Sequence, residues 1–181
     1  LHEMRYGELA HFKLIPHTPY YGTADATALY LMTLHAAWRA TGDVGLLEQH
    51  LQTAEGCLAW IDNYGDRDGD GFQEYQTRSS VGYENMAWKD SGDAVMYPDG
   101  SLVKGPKALC ELQGYVYNAW VRMAEVFDAL GKPERAHDLL GPERRARGGV
   151  DRLLDLPHER LLAQSVQVVE LPLEARADLG R

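Results

Sequence analysis

Residues 65–104 limit this chain more than any other stretch. Three Gly- and Asp-rich runs fill them: "GDRDGDGFQEY" (65–75), "YENMAWKDSGDA" (83–94) and "YPDGSLVKG" (97–105). Gly and Asp recur every few residues, so neither a helical nor a strand period can develop, and short strands are the most this segment can form. A connection this long inside a compact domain usually carries function. The rest of the chain must therefore form a scaffold that holds a long loop.

The flanking segments read as helices. "TADATALYLMTLHAAWRATGD" (23–43) has Thr23 or Asp25 to cap it, apolar positions at Leu29, Met32, Thr33, Ala36, Ala37 and Ala40, and Gly42 to stop it. "VGLLEQHLQTAEGCLAWIDNYGD" (44–66) aligns Leu47, Leu51, Ala54, Leu58 and Ile61, with Gly65 as its stop. The short link predicts an antiparallel pair. "GPKALCELQGYVYNAWVRMAEVFDALG" (105–131) predicts a third long helix, with Pro106 in its first turn and Gly131 at its end. Residues 1–24 read as irregular. No strand alternates with a helix in the βαβ manner, and no phosphate loop, His-Glu-x-x-His or Gly-x-Ser-x-Gly motif occurs.

Composition narrows the function classes. The chain has 181 residues, is 45% hydrophobic and carries a net charge of −9, which argues against nucleic acid as a partner. It has no apolar run long enough to span a membrane and no secretory signal. Cys57 and Cys110 fit buried thiols of a cytoplasmic protein. The first residue is Leu, so the chain is expected to begin inside a longer protein. No aromatic follows Phe127, and most arginines lie beyond it. This break predicts a compact domain over 1–140 and a divergent, weakly ordered tail over 141–181.

Four segments carry candidate chemistry. Asp66, Asp68 and Asp70 before Gly71 match the opening of an EF-hand loop, where alternate carboxylates converge on Ca²⁺. The twelfth position is Thr77 rather than Glu, so a capped turn is the other reading. In "PYYGTADAT", Tyr21 and Asp25 suit a sugar, unless Asp25 only caps its helix. In "NMAWKDSGDA", Asp90 and Asp93 stand beside Trp88 and Lys89. An apolar ring beside a carboxyl keeps it protonated, as a glycosidase's general acid must be, whereas a nearby ammonium acts the other way. A solvated turn is the alternative. In "CELQGYVYNAW", Glu111 and Gln113 can bind hydroxyls or serve as capping and core groups. The seven His show neither ligand spacing nor a triad.

Five blocks, "LHEMRYGELA", "PYYGTADAT", "WIDNYGDRDGDGFQEY", "WKDSGDAVMYPDG" and "ALCELQGYVYNAW", come in one order. Over residues 1 to about 140 this series resembles the bacterial amylo-α-1,6-glucosidase (glycogen debranching) family. The resemblance implies an all-α fold, part of an (α/α)₆ barrel, and an inverting hydrolysis of α-glucosidic bonds in glycogen or maltodextrin. It places the general acid at Asp90, or at Asp93 by the spacing of related barrels. It puts Tyr21 and Asp25 at the glucosyl subsite with Trp88 and Lys89 beside the acid, and makes Glu111 and Gln113 weaker binding candidates. No cofactor is required; Ca²⁺ at Asp66, Asp68 and Asp70 is the candidate ion. The expected partner is an α-glucan, with no nucleic acid and no membrane. The family's general base lies downstream of the matching blocks, so the chain alone is expected to be inactive, poorly soluble or self-associating. A trehalase or other α-glucosidase of the same barrel, or a non-catalytic sugar- or calcium-binding helical module, are the alternatives.

Overall fold

A computed structural model of the chain describes residues 3–15, 19–80, 82–89 and 91–141. Five α-helices carry the fold: α1 (Glu8–His11), α2 (Ala26–Thr41), α3 (Val44–Trp60), α4 (Cys110–Ala129) and α5 (Pro133–Leu140). α3 ends in a π-helical turn, Ile61–Gly65. No named strand occurs among the described residues; isolated bridges join Glu3 to Tyr20, Tyr75 to Lys107 and Met96 to Leu102. The protein is thus mostly helical, and no closed ring of helices is seen among the described residues. The expected tail lies outside the described residues, save Gly141.

Local chemistry sets the helix ends. Gly42 takes φ 69 at the end of α2, and its N–H reaches the Trp38 carbonyl. Asp43 then caps α3 by accepting from the Leu46 N–H. This two-residue link folds α3 back on α2, and the Tyr30 hydroxyl bonds His50 Nδ1 across the pair (2.8 Å). α4 packs on α2 and α5, and Arg135 of α5 reaches back to Glu55 of α3 (2.9 Å).

The core between α2, α3, α4 and α5 includes Leu31, Leu47, Leu58, Met123 and Phe127, all fully buried. The face read for α3 is the buried one, with Leu51 partly covered. The face read for α2 is corrected. Ala28, Leu31, Leu34 and His35 are buried, while Thr33, Ala36 and Ala40 are exposed. The alanines have little apolar area to bury, so the two leucines turn the helix toward the core. His35 is drawn in with them. Its Nε2 bonds Glu125 (2.9 Å), and Arg122 donates to its Nδ1 (3.0 Å). Arg122 can only donate, so Nδ1 accepts and Nε2 carries the proton.

The third helix also departs from expectation. It starts at Cys110, so Pro106 lies outside its first turn. Residues before it are pulled straight, because Lys107 exchanges both backbone hydrogen bonds with Tyr75 (2.9 and 3.0 Å). A second apolar cluster (Ala24, Tyr75, Ala87, Val95, Val103, Leu109, Leu112) seats the long loop on the N-terminal end of α4. No described helix is long and apolar enough to cross a membrane. Cys57 and Cys110 are part-buried thiols. Phe127→Ala, by emptying a fully buried site, is expected to cost about 3–5 kcal/mol, read as a lowered urea midpoint with an unchanged slope.

Candidate functional site

The start of α4 is tied to the loop by buried amides. Gln113, 1% exposed, accepts the Gln73 N–H at Oε1 (2.7 Å) and donates from Nε2 to the Gln73 and Leu109 carbonyls (2.8 and 3.1 Å). Its oxygen and both amide hydrogens are thereby used. This corrects the reading of Gln113 as a hydroxyl ligand: it positions the loop instead. Gln73 in turn packs over Gly65, whose backbone oxygen accepts the Glu74 N–H (2.7 Å). A Cβ at Gly65 would stand 1.6 Å from Gln73 Oε1, so a side chain there would displace the Gln73 amide from its present place.

Lys107 is the second tie. Its side chain is fully buried, yet Nζ reaches Glu84 Oε1 (2.8 Å) and lies 5.7 Å from the Tyr75 ring centre. The next residue, Asn85, is also buried and donates from Nδ2 to the Ser91 carbonyl (2.5 Å), closing the turn that carries Trp88 and Lys89. Met86 accepts the Ala24 N–H (2.6 Å), bringing this turn to the entry of α2.

These ties bring Asp25, Lys89, Glu111 and Tyr115 near enough for the charge on one to act on another. Asp25 is buried and does not cap α2; Thr23 Oγ1 donates to its Oδ1 instead (2.6 Å). Burial holds the Glu111 carboxyl above its ordinary pKa; the Lys89 charge opposes this and the Asp25 charge adds to it. Its Oε1 is buried with no hydrogen-bond partner among the described residues. Burial, then the charges of Glu111 and Asp25, push the Tyr115 hydroxyl up as well. A carboxyl so held keeps its proton further toward neutral pH, as proton donation requires.

The remaining expected residues fall around this group. Trp88 is 72% exposed, and Asp93 is exposed on the same loop. Asp90 lies outside the described residues. Tyr21 is exposed and lines a neighbouring cleft, as do Trp60 and Tyr64, two aromatics that the sequence reading passed over as helix end. Their four-residue spacing beside a polar turn was the available signal.

The acidic turn differs in one ligand position. Asp66, Asp68 and Glu74 bring one oxygen each within 4.8 Å of one another. Asp70 is not of this set; its Oδ1 accepts the Phe72 N–H (2.9 Å). Asp66 takes the N–H groups of Gly69 and Gly71. Burial, then the charges of Asp68, Asp70 and Asp66, raise the Glu74 pKa. The three clustered carboxylates suit a hard cation such as Ca²⁺ chemically, though they are fewer than its usual six to eight oxygens.

No protein-family model matches the sequence, and no curated protein or solved structure is significantly similar to it.

Two predictions follow from the ties and the charges. Lys107→Met keeps the buried stem and removes the charge, so it is expected to leave stability nearly unchanged; Glu84→Ala leaves the buried ammonium only the Glu84 carbonyl (3.4 Å) and is expected to cost about 1–3 kcal/mol in urea unfolding. For Glu111 the raised folded-state pKa means that its ionised form is penalised in the fold. That penalty is absent below both pKa values and present above them. Glu111→Gln is therefore expected to raise the melting temperature near pH 7, with the gain vanishing toward about pH 4, in thermal scans across that range.

Proposed function

We propose that the chain carries the glucosyl-binding and proton-donating side of an inverting α-glucoside hydrolase, acting on α-1,6 branch stubs of glycogen or maltodextrin. The observation that carries this reading is that the entries of α2 and α4 lie against the Trp88 loop, through the Ala24–Met86 bond and the cluster of Ala24, Leu109 and Leu112, which brings Asp25 and Lys89 near enough for their charges to act on Glu111. Asp25, with no helix N–H on its carboxylate, is available to accept sugar hydroxyls. The loop after Trp88 supplies the acid that protonates the leaving oxygen, Asp90 in the first place and Asp93 in the second. Trp88 offers a sugar face a flat, exposed ring. Lys89 steadies the negative charge of its neighbours. The base that activates water is not assigned among these residues. The helical pairs with their loop gathered at one end support a place in an (α/α)₆ barrel, and part-buried thiols suit the cytoplasm.

The test is calorimetric titration of the chain with panose, whose non-reducing glucose is α-1,6-linked, alongside a glucose-release assay. Saturable binding without glucose release is expected, and Asp25→Asn is expected to weaken it about tenfold through lost hydroxyl hydrogen bonds. Absence of binding by folded chain, or an unchanged affinity in Asp25→Asn, sinks the reading; glucose release would show that the base is present after all.

The acidic turn favours a second reading, a calcium-binding module. If it holds, millimolar Ca²⁺ raises the melting temperature and Asp66→Asn abolishes the rise.

A further inference from the structure

The end of α3 and the first part of the long loop border a cleft that has no part in the proton transfer proposed above. It encloses about 480 Å³, within the roughly 300–1,000 Å³ of small-molecule sites. Asp25, Lys89 and Glu111 do not line it. Two of its rings stand open to solvent at the end of α3, Trp60 (39% exposed) and Tyr64 (63%). Arg67, Glu74, Gln76 and Arg78 line it from the loop. Both arginines are exposed, and neither forms an ion pair among the described residues. The Arg67 backbone N–H donates to Glu74 Oε2 (3.2 Å), while its guanidinium reaches on to Gln76 Oε1 (2.9 Å).

This combination selects a ligand chemistry. Two unpaired guanidiniums in one concave wall call for an anion with several oxygens, and Arg binds phosphate through paired N–H groups. Exposed flat rings call for a flat partner that stacks. Glu74 asks for the opposite of an anion. An ionised carboxylate only accepts, and the charges of Asp68, Asp70 and Asp66 act on this one, so its end of the wall attracts N–H groups. A neutral sugar leaves the guanidinium charges unanswered, and a bare inorganic anion leaves the rings uncovered. A nucleotide meets all three demands, with a flat base, N–H donors on the base edge and a phosphate. The net charge of −9 weighs against a nucleic-acid polymer, whereas one phosphate needs only local cations.

We propose that this cleft is a binding site for a mononucleotide. The base stacks on Trp60 and Tyr64 and turns its N–H edge to Glu74, and the phosphate lies against Arg67 and Arg78. The site requires no hydrolysis and does not rest on the hydrolase reading.

The test is calorimetric titration of the full chain with guanosine 5′-monophosphate, whose base edge carries adjacent N–H donors, beside guanosine and inorganic phosphate. The nucleotide is expected to bind saturably, and about tenfold more tightly than guanosine or phosphate. Arg78→Gln is expected to weaken the nucleotide about tenfold and to leave guanosine unchanged. Trp60→Ala is expected to weaken both about tenfold, with Tyr64→Ala, at a more exposed ring, as a second measure of the same loss. Arg39→Gln, at an exposed position outside the cleft, is expected to change neither. Added salt is expected to weaken the nucleotide more than guanosine. Circular dichroism must show the helical signal of the parent in each variant. The proposal is overturned by absence of saturation with folded chain, by guanosine or phosphate binding as tightly as the nucleotide, or by an Arg78→Gln chain that binds the nucleotide as the parent does. An equal loss in Arg39→Gln also overturns it, since the arginines would then act only through overall charge. Failure here and failure of the hydrolase reading are separable, because the latter is read from panose and Asp25→Asn.

Discussion

The whole site hangs on the hydrogen bonds between the Gln113 side chain and the backbone of Gln73. A long loop has no periodic hydrogen bonding of its own, so its buried N–H and C=O groups need outside partners. Gln113 supplies both a donor and an acceptor to one residue of the loop, from the first turns of α4. Gly65 lets the Gln73 side chain lie against the end of α3. The end of α3 and the start of α4 are thereby joined through one loop residue, and the Tyr75–Lys107 bridge, the Lys107–Glu84 pair and the Ala24–Met86 bond hold the described loop residues beyond it.

Electrostatics follow from this placement. The entries of α2 and α4 are brought together, and with them Asp25 and Glu111. Burial raises the Glu111 pKa, the Lys89 charge opposes this and the Asp25 charge adds to it. Lys107 works one layer deeper. It is wholly buried, its charge answered by Glu84, whose own side chain is partly in water. Holding an ammonium in the interior costs stability but fixes where Glu84 and the residues just after it can lie. That turn then carries Trp88 and Lys89 past the entry of α2.

The α3 face and its stop at Gly65 were legible because Leu47, Ala54, Leu58 and Ile61 repeat at helical spacing and carry real apolar area. The α2 face was not. Its alanines match a helical period without weight, and His35 is buried only because Arg122 and Glu125, far along the chain, answer both ring nitrogens. The start of α4 was read too early for a similar reason. Pro106 is a good first-turn residue, but a backbone ladder with Tyr75 holds residue 107 extended. At the site, the residue types of "PYYGTADAT" and "CELQGYVYNAW" marked Asp25 and Glu111. Nothing local could show that Gln113 is consumed inside the protein, or that Glu74 rather than Asp70 joins Asp66 and Asp68.

By itself the sequence determined helical hairpins around a long Gly- and Asp-rich loop, because period, caps and breakers act within a few residues of one another. It also determined which side chains were available for sugar or cation chemistry. Only the tertiary structure decided which of them meet. Asp25, Lys89 and Glu111 are far apart along the chain, and so are Tyr21, Trp60 and Arg78. Whether a carboxyl is spent on a cap, buried beside another or left in water depends on what packs against it, and that packing is set by contacts across the chain, not along it.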